Sequence, residues 1–332
     1  MKLKSIFLFV ALSFTVTASA ADRKLFDNHW LFVLQDSVTM SSPNFNDNAW
    51  RRLSLPHDWS IEGDFQATNP SGATGGALPG GIAWYRKHFD VPSYDRNKHY
   101  FIDFDGVYMN ASVYLNGHLL GTRPYGFISY RYELTPYLKA KDNVMAVRVD
   151  NSEQPNCRWY SGSGIYRHVY LVTTNALHVA HWGTFVRATT DGKVCAEIKI
   201  DNQGSHSETV TVRNTVLNSA QKVVSTVLRK LTVNPNKPAI FEENMQVDKP
   251  ELWSIESPYR YVLRTEIVQG GRVLDRYDTT FGFRSFHFDA QTGFWLNGKN
   301  LKINGVCNHH DLGCLGAAVH RDAIYRQLRL LK

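Results

Sequence analysis

From Trp30 to Phe288 the chain reads almost wholly as short β-strands, because apolar and polar residues alternate with a period of two. Successive side chains of a strand point to opposite faces, so such a pattern makes sheets that must bury one face against another. Tyr100, Ile102 and Phe104 share one face against Phe101, Asp103 and Asp105, and Met145, Val147 and Val149 oppose Arg148 and Asp150. Asn116-Gly117 predicts a type I′ hairpin, since both central residues need positive φ. Asp103 and Asp105 would lie about 7 Å apart on one face and read as a solvated pair, with a bound Ca²⁺ as the lesser option.

The strands fall into two blocks. The first, residues 21–175, has strands separated by Gly, Pro and Asn clusters and predicts a jelly roll or sandwich. The second, residues 176–286, alternates cleanly through Val194, Ala196, Ile198 and Ile200 and through Tyr261, Leu263, Thr265 and Ile267. Gly270-Gly271 closes a hairpin there, and about seven short strands in this length fit an immunoglobulin-like sandwich.

The tail, residues 287–332, changes character. Asn297-Gly298 predicts another I′ hairpin, and Leu301, Ile303 and Val306 read as a buried strand. A loop with Asn308, His309, His310 and Asp311 follows. Asp322 then suits the first turn of a helix whose Ile324, Leu328 and Leu331 make one apolar stripe. Strand, loop and helix in this order open a parallel α/β domain, which cannot bury itself alone.

Composition narrows the function classes. The formal charge is +7, yet acidic residues are interspersed with the basic ones, so the basic stripe that nucleic-acid binding needs is absent. Lys2 and Lys4, an apolar run from Ile6 to about Val16, and Ala18-Ser19-Ala20 make a secretory signal peptide over residues 1–20. That predicts a secreted or periplasmic protein without a membrane anchor. Cys157, Cys195, Cys307 and Cys314 are too few for a disulfide scaffold, and we expect free or buried thiols.

Several segments bear chemistry. LPHDW sets His57 beside Asp58, but adjacent side chains on extended backbone diverge, so structural hydrogen bonding is expected. In RWYSGSG, Arg158 is a permanent cation, Trp159 and Tyr160 offer flat apolar surfaces to a sugar ring, and Gly162 and Gly164 permit close approach; packing between domains is the other reading of this segment, and the one favoured. Trp84 and its neighbours in LPGGIAWYRKHF read as a structural strand, with substrate contact as the lesser reading. His309, His310 and Asp311 admit a sugar-contact, structural or metal-ligand reading. Neighbouring histidines cannot easily share one ion, and no metal site is predicted.

Taken in order, LPHDWSIEGDF (Leu55–Phe65), LPGGIAWYRKHF (Leu78–Phe89), VYLNGHLLG (Val113–Gly121), DNVMAVRVDN (Asp142–Asn151), RWYSGSGIYR (Arg158–Arg167), FGFRSF (Phe281–Phe286) and FWLNGKNLKINGVCNHHD (Phe294–Asp311) resemble glycoside hydrolase family 2, and within it secreted bacterial β-galactosidases. The resemblance implies a mainly β chain. It would comprise a jelly-roll sugar-binding domain, an immunoglobulin-like domain and the truncated first βα unit of a TIM barrel, which needs about 250 residues. It implies a retaining mechanism with an acid/base and a nucleophilic glutamate, both expected beyond Lys332, so that no catalytic residue is assigned here and this portion alone is expected to be inactive. It also implies that His309 bonds substrate hydroxyls, with Asp311 in the same loop and Arg158 and Trp159 beside the substrate. Better-known members carry an acidic residue near the Arg158 position, so that contact departs from the family pattern. The implied partner is a β-galactoside oligo- or polysaccharide. A divalent or monovalent cation and homo-oligomerisation are implied only for the full-length enzyme. Alternatives are a non-catalytic carbohydrate-binding module, or a β-glucuronidase- or β-mannosidase-type member of the family.

Overall fold

A computed structural model describes residues 21–332. The signal-peptide reading of residues 1–20 lies outside the described residues. The chain is mainly β and divides into two compact units, one formed by residues 21–176 with 302–332 and the other by residues 177–301.

The first unit is the jelly roll, built from two antiparallel sheets. Six strands pair in the order Arg51–Leu53, Trp30–Val33, Gly81–Phe89, Asn143–Asn151, Ala111–Leu115 and His118–Arg123. Four more pair as Asp22–Leu25, Val169–Asn175, Lys98–Phe104 and Tyr130–Glu133. Trp30, Tyr85, Ile102, Phe104, Val113, Met145 and Val147 fill one core cluster. Asn116 and Gly117 both take positive φ, 52° and 86°, and turn the chain between two of these strands.

The strand Gly81–Phe89 is covered on both faces. Tyr85 enters the main core, while Trp84 packs with Met40 and Ala146 on the other side. Trp84 is fully buried and its indole N–H donates to Asp36 at 2.9 Å, so the substrate-contact reading of Trp84 is set aside. Arg86 is buried too, and its Nε donates to Asp47 at 2.6 Å.

The Asp103/Asp105 reading is corrected in the same way. Asp103 is buried and takes a bidentate pair of bonds from Arg131, at 2.6 and 2.8 Å. Arg23 reaches Asp105 at 3.2 Å. Asp103 lies within the covered strand Lys98–Phe104 and so needs a cation rather than water, whereas Asp105, just past the strand's end, stays partly exposed.

The second unit contains the immunoglobulin-like sandwich. Leu177–Ala188, Lys193–Asn202 and Ala239–Gln246 form one sheet, and Val223–Val233, Glu208–Leu217, Tyr261–Gln269 and Arg272–Phe281 the other. Val194, Ala196, Ile198 and Ile200 meet Leu263 and Ile267 in a single core, as their alternation predicts. A three-stranded meander, Phe286–Asp289, Gly293–Leu296 and Lys299–Leu301, completes the unit, turning at Asn297-Gly298 with φ of 50° and 75°.

The tail lacks the strand read over Ile303 and Val306, while its exposed apolar residues agree with a unit that cannot bury itself alone. Its strand ends at Leu301, and no strand covers Ile303 or Val306, which are 64% and 73% exposed. A buried parallel strand needs neighbours on both edges, and none of the described residues supplies them. The four cysteines are unbridged, with Cys307 and Cys314 exposed rather than buried. The helix forms over Arg321–Leu331 with Asp322 in its first turn, but Leu328 and Leu331 stay exposed.

Candidate functional site

Residues 302–332 return to the first unit, and a buried carboxylate ties three segments together at the junction. Asp58 is buried. Its Oδ1 accepts from the backbone N–H of Ser60 at 3.0 Å and of Ser163 at 2.8 Å. Its Oδ2 accepts from the N–H of Ala317 at 2.8 Å and from the Tyr160 hydroxyl. A buried carboxylate without partners would cost several kcal/mol, by the order of magnitude for uncompensated ions. Here four donors from three segments meet it. LPHDW, RWYSGSG and the Gly316-Ala317 turn are thereby fixed to one another.

Two glycines make the approach feasible. Gly162 has φ of 67°, and a Cβ there would sit 2.4 Å from Asp58 Oδ2 and 2.6 Å from the Ala317 methyl. At Gly164 a Cβ would meet the Tyr85 hydroxyl at 2.5 Å. A side chain at Gly162 would push the loop off the carboxylate, and one at Gly164 would press on the Tyr85 hydroxyl and the His57 carbonyl.

His57 does not cooperate with Asp58. Its Nδ1 bonds the Tyr85 hydroxyl at 2.7 Å, and its Nε2 faces Arg51 at 2.9 Å and Glu62 at 3.2 Å. Burial lowers its pKa against the opposing pull of Glu62. Adjacent residues on extended backbone diverge here as predicted.

The clamp positions the residues singled out in the sequence. The Trp159 ring, 37% exposed, lies 5.5 Å from the His309 ring, centroid to centroid. His309 is exposed and His310 turns inward. The His310 ring packs 5.7 Å from Phe127 and 5.9 Å from Tyr166, and its Nε2 lies 3.4 Å from the Ser161 carbonyl. Burial is the main cause that lowers the His310 pKa, which leaves a neutral ring as packing. The Tyr160 hydroxyl is pushed well up, first by burial and then by the charge of Asp58, and so stays a hydrogen-bond donor.

Arg158 is exposed and forms no ion pair among the described residues. Asp311 is half-buried, and its backbone carbonyl accepts from Gln327 at 3.4 Å. Its carboxylate is close enough to Tyr160 to raise that hydroxyl further. An open recess beside these residues is lined by Asp105, Ser129, Arg167, Asn308, His309 and Gln327. No group of three or more His, Cys, Asp or Glu side chains among the described residues is arranged to hold a metal ion.

Trp159 and His309, distant in sequence, therefore share one surface. Sequence reading missed Asp58 as the tie between them, and it missed Tyr125 and Phe127, whose rings continue the aromatic surface. LPHDW signalled a polar contact at Asp58 but not its partner, because that partner is a backbone N–H far along the chain.

The chain has relatives of known name. Residues 178–284 match the family described as Glycosyl hydrolases family 2, and residues 81–182 match the Glycosyl hydrolase 2 galactose-binding domain-like family. It is 48% identical over 327 residues to a protein named β-galactosidase BoGH2A from Bacteroides ovatus, covering 97% of this chain and 38% of that protein. It is 41% identical to a putative β-glucuronidase of Formosa agariphila, covering 92% of this chain and 29% of that protein. Among solved structures, a glycosyl hydrolase family 2 member from Bacteroides cellulosilyticus superimposes with a TM-score of 0.88 at 36% identity, over 93% of this chain and 41% of that one. The chain thus spans well under half the length of these relatives.

Proposed function

The chain belongs to glycoside hydrolase family 2, and from that premise we propose that it is the N-terminal portion of a retaining β-galactosidase acting on terminal β-galactosyl residues of oligo- or polysaccharides. The observation that carries this reading is the pairing of Trp159 with His309 on one exposed surface. A flat indole offers the apolar face that the C–H side of a pyranose covers, and an exposed imidazole beside it bonds the hydroxyls at the sugar's rim. Arg158 and Asp311 supply charged hydrogen-bonding groups next to the pair. The relative named β-galactosidase, 48% identical, supports galactose as the sugar.

Catalysis in this proposal belongs to a carboxylate pair downstream of Lys332, one acid/base and one nucleophile. Of the described glutamates, Glu62 pairs with Arg51, Glu242 with Arg187 and Glu266 with Arg213. The proposal includes export directed by residues 1–20.

The test is turnover of nitrophenyl β-galactoside and β-glucuronide by the intact protein and by residues 21–332 alone. Expected is galactoside turnover by the intact protein, none by the shorter chain, and a loss of about tenfold or more in kcat/KM for His309→Ala. Preference for the glucuronide would transfer the reading to the activity for which the Formosa agariphila relative is named. Turnover by residues 21–332 would overturn the placement of the carboxylate pair.

A further inference from the structure

The loop Pro124–Ile128 lies on the same face as Trp159, and no part of the proposed function uses it. Tyr125 is 56% exposed, although a tyrosine this accessible forfeits most of the apolar burial its ring could gain. The loop around it is nonetheless anchored. The buried Tyr166 hydroxyl donates to the Gly126 carbonyl at 2.9 Å, Asn110 N–H donates to the Pro124 carbonyl at 3.2 Å, and Ser129 Oγ donates to the Asp105 carbonyl at 3.2 Å. Gly126 rests against the Tyr108 ring, where a Cβ would lie 2.4 Å from Cδ2. The backbone is held from below while the Tyr125 ring faces out and the half-buried Phe127 ring packs against Tyr108 at 5.0 Å, centroid to centroid.

Those rings extend the Trp159–His309 pair. Tyr125 to Phe127 is 5.7 Å, Phe127 to Trp159 is 6.4 Å and Trp159 to His309 is 5.5 Å, centroid to centroid. The rings come from three separate segments and form a continuous series leading away from His309. Tyr125 holds most of its ring at the surface on an anchored loop, and a ligand with apolar faces would bury area that its contact with Phe127 leaves open. Each step between rings is about the length of one pyranose unit in a β-linked chain.

We propose that Tyr125, with Phe127 and Trp159, forms a rail for the sugar units following the terminal residue, and that Tyr125 sets a preference for longer oligosaccharides. This rests on the reading that the Trp159–His309 surface meets glycan. Tyr125 touches substrate in this proposal but takes no part in bond cleavage, so its loss falls on substrates long enough to reach it.

The experiment uses the intact protein with two substrates, methyl β-galactoside and a β-galactosyl-terminated tetrasaccharide. Tyr125→Ala is expected to lower kcat/KM for the tetrasaccharide about tenfold, mainly through KM, and for the methyl glycoside less than about twofold. Tyr125→Phe, which keeps the ring, is expected to match wild type on both. Equal losses on the two substrates, or none on the tetrasaccharide, would overturn the rail. Titration of intrinsic tryptophan fluorescence with the tetrasaccharide separates the two readings. If neither substrate is cleaved, the β-galactosidase reading fails. Binding about tenfold weaker in Tyr125→Ala would still support the rail, and absent or unchanged binding would reject it.

Discussion

Lys87 sits in the jelly-roll core with its ammonium against the Phe26 ring, at 4.1 Å, and bonded to the carbonyls of Phe26 and Asn28. Burial disfavours its charge and lowers the pKa from 10.5 to about 8, with Asp27 pulling the other way. The folded pKa lies below the unfolded one, so above pH 8 the unfolded chain binds more protons than the folded chain. The penalty for charging Lys87 is then fully present below pH 8 and fades as pH rises toward 10.5, which makes stability rise with pH across that window. Urea midpoints at pH 7.5 and 9.5 check this. The wild-type midpoint should rise relative to that of Lys87→Met at the higher pH, and a difference independent of pH would contradict it. LPGGIAWYRKHF showed a strand, but a lysine at an inward position was legible only as a polar interruption. Its partners are the backbone carbonyls of Phe26 and Asn28, in the connection between the strands Asp22–Leu25 and Trp30–Val33.

The loop Arg158–Ile165 is held to its conformation by contacts made far away in the chain. Gly162 combines a left-handed φ with contact against Asp58 and Ala317. Gly162→Ala therefore adds backbone strain and a clash with the carboxylate that fixes three segments. A destabilisation of about 2–4 kcal/mol is expected, with a changed Trp159 emission as the loop shifts. Thermal melting and fluorescence measure the two effects, and an unchanged melting temperature would show that the clamp does not constrain the loop. The hairpin turns Asn116-Gly117, Gly270-Gly271 and Asn297-Gly298 were legible because their positive φ is a property of the residues themselves. The strand reading of Ile303 and Val306 failed because apolar composition marks a strand only where neighbours exist to pair with it.

Protection against exchange should be uneven along the tail. Ala317 N–H bonds the buried Asp58, and Val319 N–H bonds the Tyr166 carbonyl at 2.8 Å. Residues 302–309 form no strand, and the helix Arg321–Leu331 buries none of its side chains. Hydrogen exchange on residues 21–332 should find the amides of Ala317 and Val319 protected nearly as well as the jelly-roll strands, with 302–309 and the last helical turn exchanging fast. Uniform protection across 302–332 would mean that the exposed apolar residues are covered in solution. The two sandwiches, their turns and most of their core follow from periodicity and turn chemistry, which act between near neighbours and can be read along the chain. The salt-bridged Asp103, the Asp58 clamp and the ring series from Tyr125 to His309 depend on which distant residues are brought within a few ångströms. Hydrogen bonds and ring contacts carry no periodic trace in sequence, so these features became visible only once the strands had packed.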